Sequence, residues 1–133
     1  MKLLDTTALI HYWGGVDAVG SYIAANEDHE FVTTTLNLKE IALGRKLQGG
    51  FDPQELLATF DWVTIAPFET EHAFHAAELE ADLHRDEEIN QDKITSLTGD
   101  LLIAAVAKAE NAPVVTRNTD DFEQFAGLCT ESY

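Results

Sequence analysis

Acids stand at four places far apart along the chain, and their placement points to one chemistry. Asp5 closes a short apolar segment at 2–5, and Glu40 interrupts an otherwise apolar stretch. Asp100 opens another apolar run, and Asp120 and Asp121 follow the β-branched segment that ends at Thr116. Carboxylates brought to one place repel and raise one another's pKa unless a cation compensates them. An all-oxygen ligand set with no cysteine cluster favours Mg²⁺, with Mn²⁺ as its substitute, over zinc. Such a site activates water and stabilises an in-line displacement at phosphorus.

Convergence requires strands that end at a common edge. Segments 2–5, 31–34, 62–65 and 113–116 are short, apolar and rich in β-branched residues, and they read as strands. A helix should start at Thr6 with a threonine to cap it, and others should cover 16–25, 36–47, 55–60, 69–85 and 99–109. In the long helix at 69–85, Ala73, Ala76, Ala77, Leu83 and Phe74 are expected inward, and 86–96 reads as a polar connection. A short helix is expected near Thr119, and the tail after Leu128 is a candidate edge strand. Strands alternating with helices imply parallel pairing through right-handed crossovers, with helices on both faces. The expectation is an α/β, three-layer α/β/α chain with a central, mostly parallel sheet of four or five strands. Ligand sites in such sheets form at the carboxyl ends of strands, where Asp5 and the residues after Thr116 fall.

A chain of 133 residues fits one domain, 1–133, and can bury a real core. Cys129 is the lone cysteine, so no internal disulfide forms, and no apolar run approaches a membrane span. An acid at position 5 also breaks any apolar leader, so a cytoplasmic protein with no membrane association is expected. The formal net charge is −16, from 8 bases and 24 acids. That sign is unusual for a nucleic-acid binder, whose affinity comes from neutralising phosphates. Much of the surplus lies in 69–92, which carries acids on nearly every turn and reads as a solvated face. Either the partner is not a polyanion or, the favoured expectation, the acidity is a solubility device for a salty cytoplasm, where screening shortens the reach of each charge to ~3 Å at 1 M. On that salt-adapted reading, binding to a polyanion is expected to survive molar salt comparatively well.

Each residue also has a plainer role open to it. Asp100 could complement a helix dipole, worth roughly 0.3–1 kcal/mol. Glu40, beside Asn37 and Lys39, could lie on a solvated helix face. One of Asp120 and Asp121 could cap the last helix, and Asn118 could be an ordinary turn residue. His72 and His75, one helical turn apart near Glu71 and Glu78, suggest zinc, but no third nitrogen or sulfur ligand stands at a recognisable spacing.

Four segments together narrow the choice. Leu3-Leu4-Asp5-Thr6-Thr7-Ala8-Leu9-Ile10 resembles the opening motif of PIN domains, and 35–44, from Thr35 through Glu40 to Gly44, is similar to their second. Gly99-Asp100-Leu101-Leu102-Ile103-Ala104-Ala105 resembles the third, and 114–122, with Thr116-Arg117-Asn118 leading to Asp121-Phe122, the fourth. Order and spacing match over essentially the whole chain, and the small size is similar to that of the VapC toxins in the family. The resemblance implies a PIN-like fold and a Mg²⁺-dependent endoribonuclease that cleaves RNA phosphodiesters with metal-activated water. It implies Asp5, Glu40, Asp100 and the more variable Asp121 as metal-binding and catalytic acids, with Thr7, Thr116 and Asn118 in support. Lys39, Arg45, Lys46 and Arg117 are the implied RNA or antitoxin contacts, though such toxins usually carry more bases around the cleft.

The resemblance further implies the toxin of a VapBC-type type II toxin–antitoxin pair, a cognate antitoxin, and a homodimer with Leu9, Ile10 and Tyr12 as candidate interface. A PIN endonuclease of ribosomal RNA maturation is the nearest alternative, but no extra zinc-binding or RNA-binding segment is visible. A non-catalytic PIN binding module is a second, and the presence of all four acids argues against it. A phosphate-accepting receiver domain is a third. It needs adjacent acids soon after the first strand, whereas threonines follow Asp5, and a late lysine where Arg117 stands.

Overall fold

Alternation along the strands sorts the interior into two cores. Side chains on a strand point to opposite faces in turn. Leu3, Val32 and Val114 enter one apolar cluster, while Leu4, Phe31 and Val115 enter another. The strands carrying them are β1 (Lys2–Leu4), β2 (Phe31–Thr34) and β4 (Val114–Val115). They join β3 (Thr64–Ala66) and β5 (Thr130–Glu131) in a five-stranded sheet of order β3-β2-β1-β4-β5, parallel at every pairing. Leu3 stands opposite Val32 on one side and Val114 on the other, so β1 is the central strand. Burial on both faces is what makes these strands read as continuous apolar runs. Each fully buried Leu or Val there contributes about 1.5–3 kcal/mol. The computed structural model describes residues 1–133.

Helices cover both faces. On the Leu4 side lie α1 (Thr6–Trp13), α2 (Asp17–Ala25), α3 (Thr35–Leu47) and α4 (Pro53–Thr59), which bring Leu9, Val19, Ile41 and Leu56 to that core. On the Leu3 side lie α5 (Thr70–Arg85), α6 (Gln91–Ser96), α7 (Thr98–Ala109) and α8 (Thr119–Phe122). The three-layer α/β/α architecture expected from the sequence is present, with five strands. No helix is long and apolar enough to cross a membrane.

Several local expectations give way. Segment 86–96 is not simply a polar connection: Asn90 caps α6 by accepting from Lys93 N–H at 2.8 Å, and Ile94 and Leu97 anchor the segment in the core. β3 starts two residues later than expected, because the Trp62 indole donates to the Thr59 carbonyl at 3.2 Å and stays with the turn after α4. On α5 the inward stripe is His72, Ala76, Leu79 and Leu83, whereas Ala73 and Ala77 are exposed and Phe74 is 69% exposed. The proposed interface on α1 is mostly interior. Leu9 is fully buried, and Tyr12 packs against Phe60 and Trp62 at 5.8 and 5.0 Å, leaving only Ile10 of the three exposed.

Candidate functional site

Asp5 follows the central strand and begins α1. Its Oδ1 accepts from the Ala8 N–H at 2.9 Å, so the carboxylate itself caps the helix, a job the sequence seemed to give to a threonine. Its Oδ2 accepts from the Thr116 hydroxyl, a contact between the ends of β1 and β4. The residue is 4% exposed. Burial pushes its pKa up, and the hydrogen bonds from Thr116 and Ala8 oppose that rise without cancelling it.

Glu40 is placed by a polar knot at the start of α3. Thr34 Oγ1 accepts from the Asn37 N–H at 3.1 Å, while Asn37 Oδ1 accepts from the Thr34 N–H at 3.2 Å and from its hydroxyl at 2.6 Å. That is a capping box with asparagine at its third position. Asn37 Nδ2 then donates to Thr6 Oγ1 at 3.0 Å, tying α3 to the first turn of α1. Glu40, three residues on, lies over the same face. The nearby Thr6 hydroxyl and the Lys39 charge favour ionisation of the Glu40 carboxyl, but burial outweighs both and raises its pKa, with Asp5 adding to the rise. The residue as a whole remains exposed on α3, so partial desolvation, not full burial, is at work. Asn37, which in sequence suggested a wet helix face, is itself fully buried.

Asp100 stands in the first turn of α7. The chain turns at Leu97, 2% exposed, directly from α6 into α7, which fixes where that turn begins. Its carboxyl is pushed up to about 6, first by burial and then by the negative charges of Asp121, Glu40 and Asp5, with Lys93 pulling the other way. Asp100 therefore senses the other three acids, and Glu40 senses Asp5, at the carboxyl edge of the sheet. Asp121 is half-buried in α8 and its charge acts on Asp100, while Asp120 is exposed and has no such effect.

The polar and basic residues divide. Asn118 N–H donates to Thr116 Oγ1 at 2.8 Å, and Asn118 Nδ2 donates to Thr7 Oγ1 at 3.2 Å, so both threonines and the asparagine join the β4–α8 turn to α1. Arg117 lies over the Tyr133 ring at 4.5 Å, and Arg45 over Trp13 at 3.8 Å. Lys39 and Lys46 are exposed on α3. Sequence reasoning missed Thr6, Thr34, Asn37, His11 and Tyr133, which orient the rest; only the Thr34–Asn37 spacing signalled one of them, as a cap. The α5 histidines have structural partners instead. His72 Nδ1 accepts from Glu69 N–H at 2.9 Å and its Nε2 faces Glu110 at 3.2 Å, while His75 lies 3.9 Å from Glu71.

Donor chemistry decides whether these acids suit a cation. Every donor is a carboxylate oxygen, the carboxyls of Asp5, Glu40 and Asp100 carry raised pKa values, and lysine charge offsets little of it. A divalent cation relieves that repulsion. No three acids, histidines or cysteines are close enough to form a closed cage. Mg²⁺ does not need one, since it keeps several waters and binds through one or two carboxylates. The residues present fit an open, hydrated Mg²⁺ or Mn²⁺ site.

The family model for the PIN domain matches residues 2–128. The chain belongs to the PIN domain family. No curated protein matches it. Among solved structures, this PIN domain is similar to VapBC2 from Rickettsia felis bound to a DNA fragment from its promoter, at 22% identity and a TM-score of 0.78, with 98% of this chain and 97% of that chain covered. It is also similar to DNA-bound VapBC from Salmonella typhimurium, at 21% identity and a TM-score of 0.75, covering 99% and 98%. FitAcB from Neisseria gonorrhoeae follows at 22% identity and a TM-score of 0.71, covering 98% and 97%. At these identities the likeness is one of fold.

Proposed function

We propose that this chain is a Mg²⁺-dependent endoribonuclease and the toxin of a VapBC-type type II toxin–antitoxin pair. The observation that carries the reading is that Asp100 feels the charges of Asp5, Glu40 and Asp121, which come from separate elements, while the carboxyls of Asp5, Glu40 and Asp100 are all held above their usual range. These four would hold the ion, and Mn²⁺ would substitute. When bound, it supplies a Lewis acid for a phosphoryl oxygen and lowers the pKa of water. The protein's share is orientation. Thr116 and the Ala8 N–H aim the two oxygens of Asp5, Asn37 ties the helix that carries Glu40 to Thr6, and Asn118 with Thr7 holds the neighbouring turn. Lys39, Arg45, Lys46 and Arg117 supply positive charge for the RNA backbone, locally and against the sign of the whole molecule.

The toxin reading brings a cognate antitoxin, a homodimer and a cytoplasmic setting, and it draws on the VapBC complexes that share the fold. Loss of a direct metal ligand should cost at least the 10–100-fold typical of residues that only support one. Asp5→Asn and Asp100→Asn proteins should therefore cleave cellular RNA in Mg²⁺ at least about 100-fold more slowly than the parent, with folding checked by circular dichroism. Undiminished cleavage by either variant contradicts the assignment. Growth arrest on induction, relieved by co-expressing the adjacent short reading frame, tests the toxin half.

A further inference from the structure

Cations are scarce here, so the way each is held bears on what it does. Lys2 is paired with Glu131 at 2.6 Å and Arg85 with Asp82 at 3.5 Å. Arg45 and Arg117 lie over aromatic rings instead, at 3.8 Å above Trp13 and 4.5 Å above Tyr133. Both platforms are fixed by the last turn of α1. Trp13 belongs to that turn and packs edge-on against Phe60 at 5.9 Å. Tyr133 is fastened to His11 of the same turn, by a hydrogen bond of 2.6 Å between its hydroxyl and Nδ1 and by edge-to-face packing at 5.8 Å.

Both arginines border the acid cluster. Arg117 follows Thr116, whose hydroxyl binds Asp5, and Arg45 lines a cleft of about 200 Å³ together with Glu40. A guanidinium held over a ring can still turn N–H donors outward, and its fork of donors matches a phosphate bidentately. Holding the group in place beforehand removes part of the entropy lost on binding.

Resting on the ribonuclease reading, the geometry points to Arg45 and Arg117 as a braced pair that grips RNA backbone phosphates on the Glu40 and Asp5 sides of the centre. Trp13 and Tyr133, the latter secured by His11, are positioning residues. A chain of net charge −16 repels RNA at long range. Its grip must then come from a few cations held at short range, which screening leaves largely intact.

The test uses a fluorescein-labelled, mixed-sequence single-stranded RNA with Ca²⁺ replacing Mg²⁺, followed by anisotropy over a KCl series. Arg117→Ala and Arg45→Ala should each weaken binding about 5–10-fold and reduce the slope of log K against log salt by about one. Arg85→Ala, which removes a cation paired on α5, should change neither. Tyr133→Ala should reproduce part of the Arg117→Ala loss and add nothing in the Arg117→Ala background, because it acts through that residue. Tyr133→Phe keeps the ring face and its packing on His11 but loses the hydroxyl bond, and should fall between the parent and Tyr133→Ala. Arginine variants that bind like Arg85→Ala overturn the grip, and leave the ribonuclease reading standing if the parent still cleaves this RNA in Mg²⁺. A fully additive Tyr133→Ala effect overturns the brace. A parent that neither binds nor cleaves RNA removes both.

Discussion

The Asp100 carboxyl is where electrostatic cost is most visible. At the first turn of a helix a carboxylate normally gains roughly 0.3–1 kcal/mol from the dipole. Here its pKa rises from 3.8 to about 6, so burial and the three neighbouring acids outweigh that gain. A carboxyl that holds its proton more tightly when folded adds stability below its unfolded pKa. That contribution is lost as pH climbs toward the folded value. Asp100→Asn should therefore raise the Tm of the metal-free protein by roughly 2–6 °C at about pH 7.5, with the advantage shrinking toward about pH 4.5. Thermal melts in EDTA at the two pH values check this; an unchanged or lower Tm at the higher pH contradicts it. The acids themselves were legible, because Asp5, Asp100 and Asp121 sit beside a strand end or in a helix's first turn and Glu40 interrupts an apolar helix. Their supports were not: Thr6, Asn37 and Tyr133 look ordinary until folding brings Asn37 onto Thr6 and Tyr133 onto His11.

At the scale of elements, periodicity located nearly every strand and long helix, because the burial that stabilises them is what writes the pattern. It failed where a segment is short and mostly polar. Only Ile94 and Leu97 of α6 and the turn behind it reach the core, too few residues to show a helical repeat. The Asn90 cap is recognisable only once its contact with the Lys93 N–H is seen. The cost of removing one anchor separates a docked helix from a connection. Ile94→Ala should destabilise by about 2–4 kcal/mol, against under about 0.5 for an exposed loop position. Urea denaturation measures the difference, and a loss near zero would show that α6 does not hold the start of α7. Phe74 failed for the opposite reason. An aromatic flanked by buried residues at 72 and 76 reads as interior, yet the helix turns it outward between them.

For the whole molecule, sheet order places β1 at the centre and so brings Asp5 beside the ends of β2 and β4, with α3, α7 and α8 around it. Strand order was not written in any one segment; parallel pairing and right-handed crossovers made it accessible only as a class. The net charge of −16 sets the background against which the centre works, with acids spread over α5 and the following loop while four are concentrated at one sheet edge. The central claim is that this concentration exists to hold a divalent ion. Anomalous diffraction from crystals soaked in Mn²⁺ tests it most directly. A peak within ligand distance, about 2–2.3 Å, of carboxylate oxygens of both Asp5 and Asp100 is predicted. A fully soaked crystal with manganese only at other surface acids, and none at this edge, would contradict it.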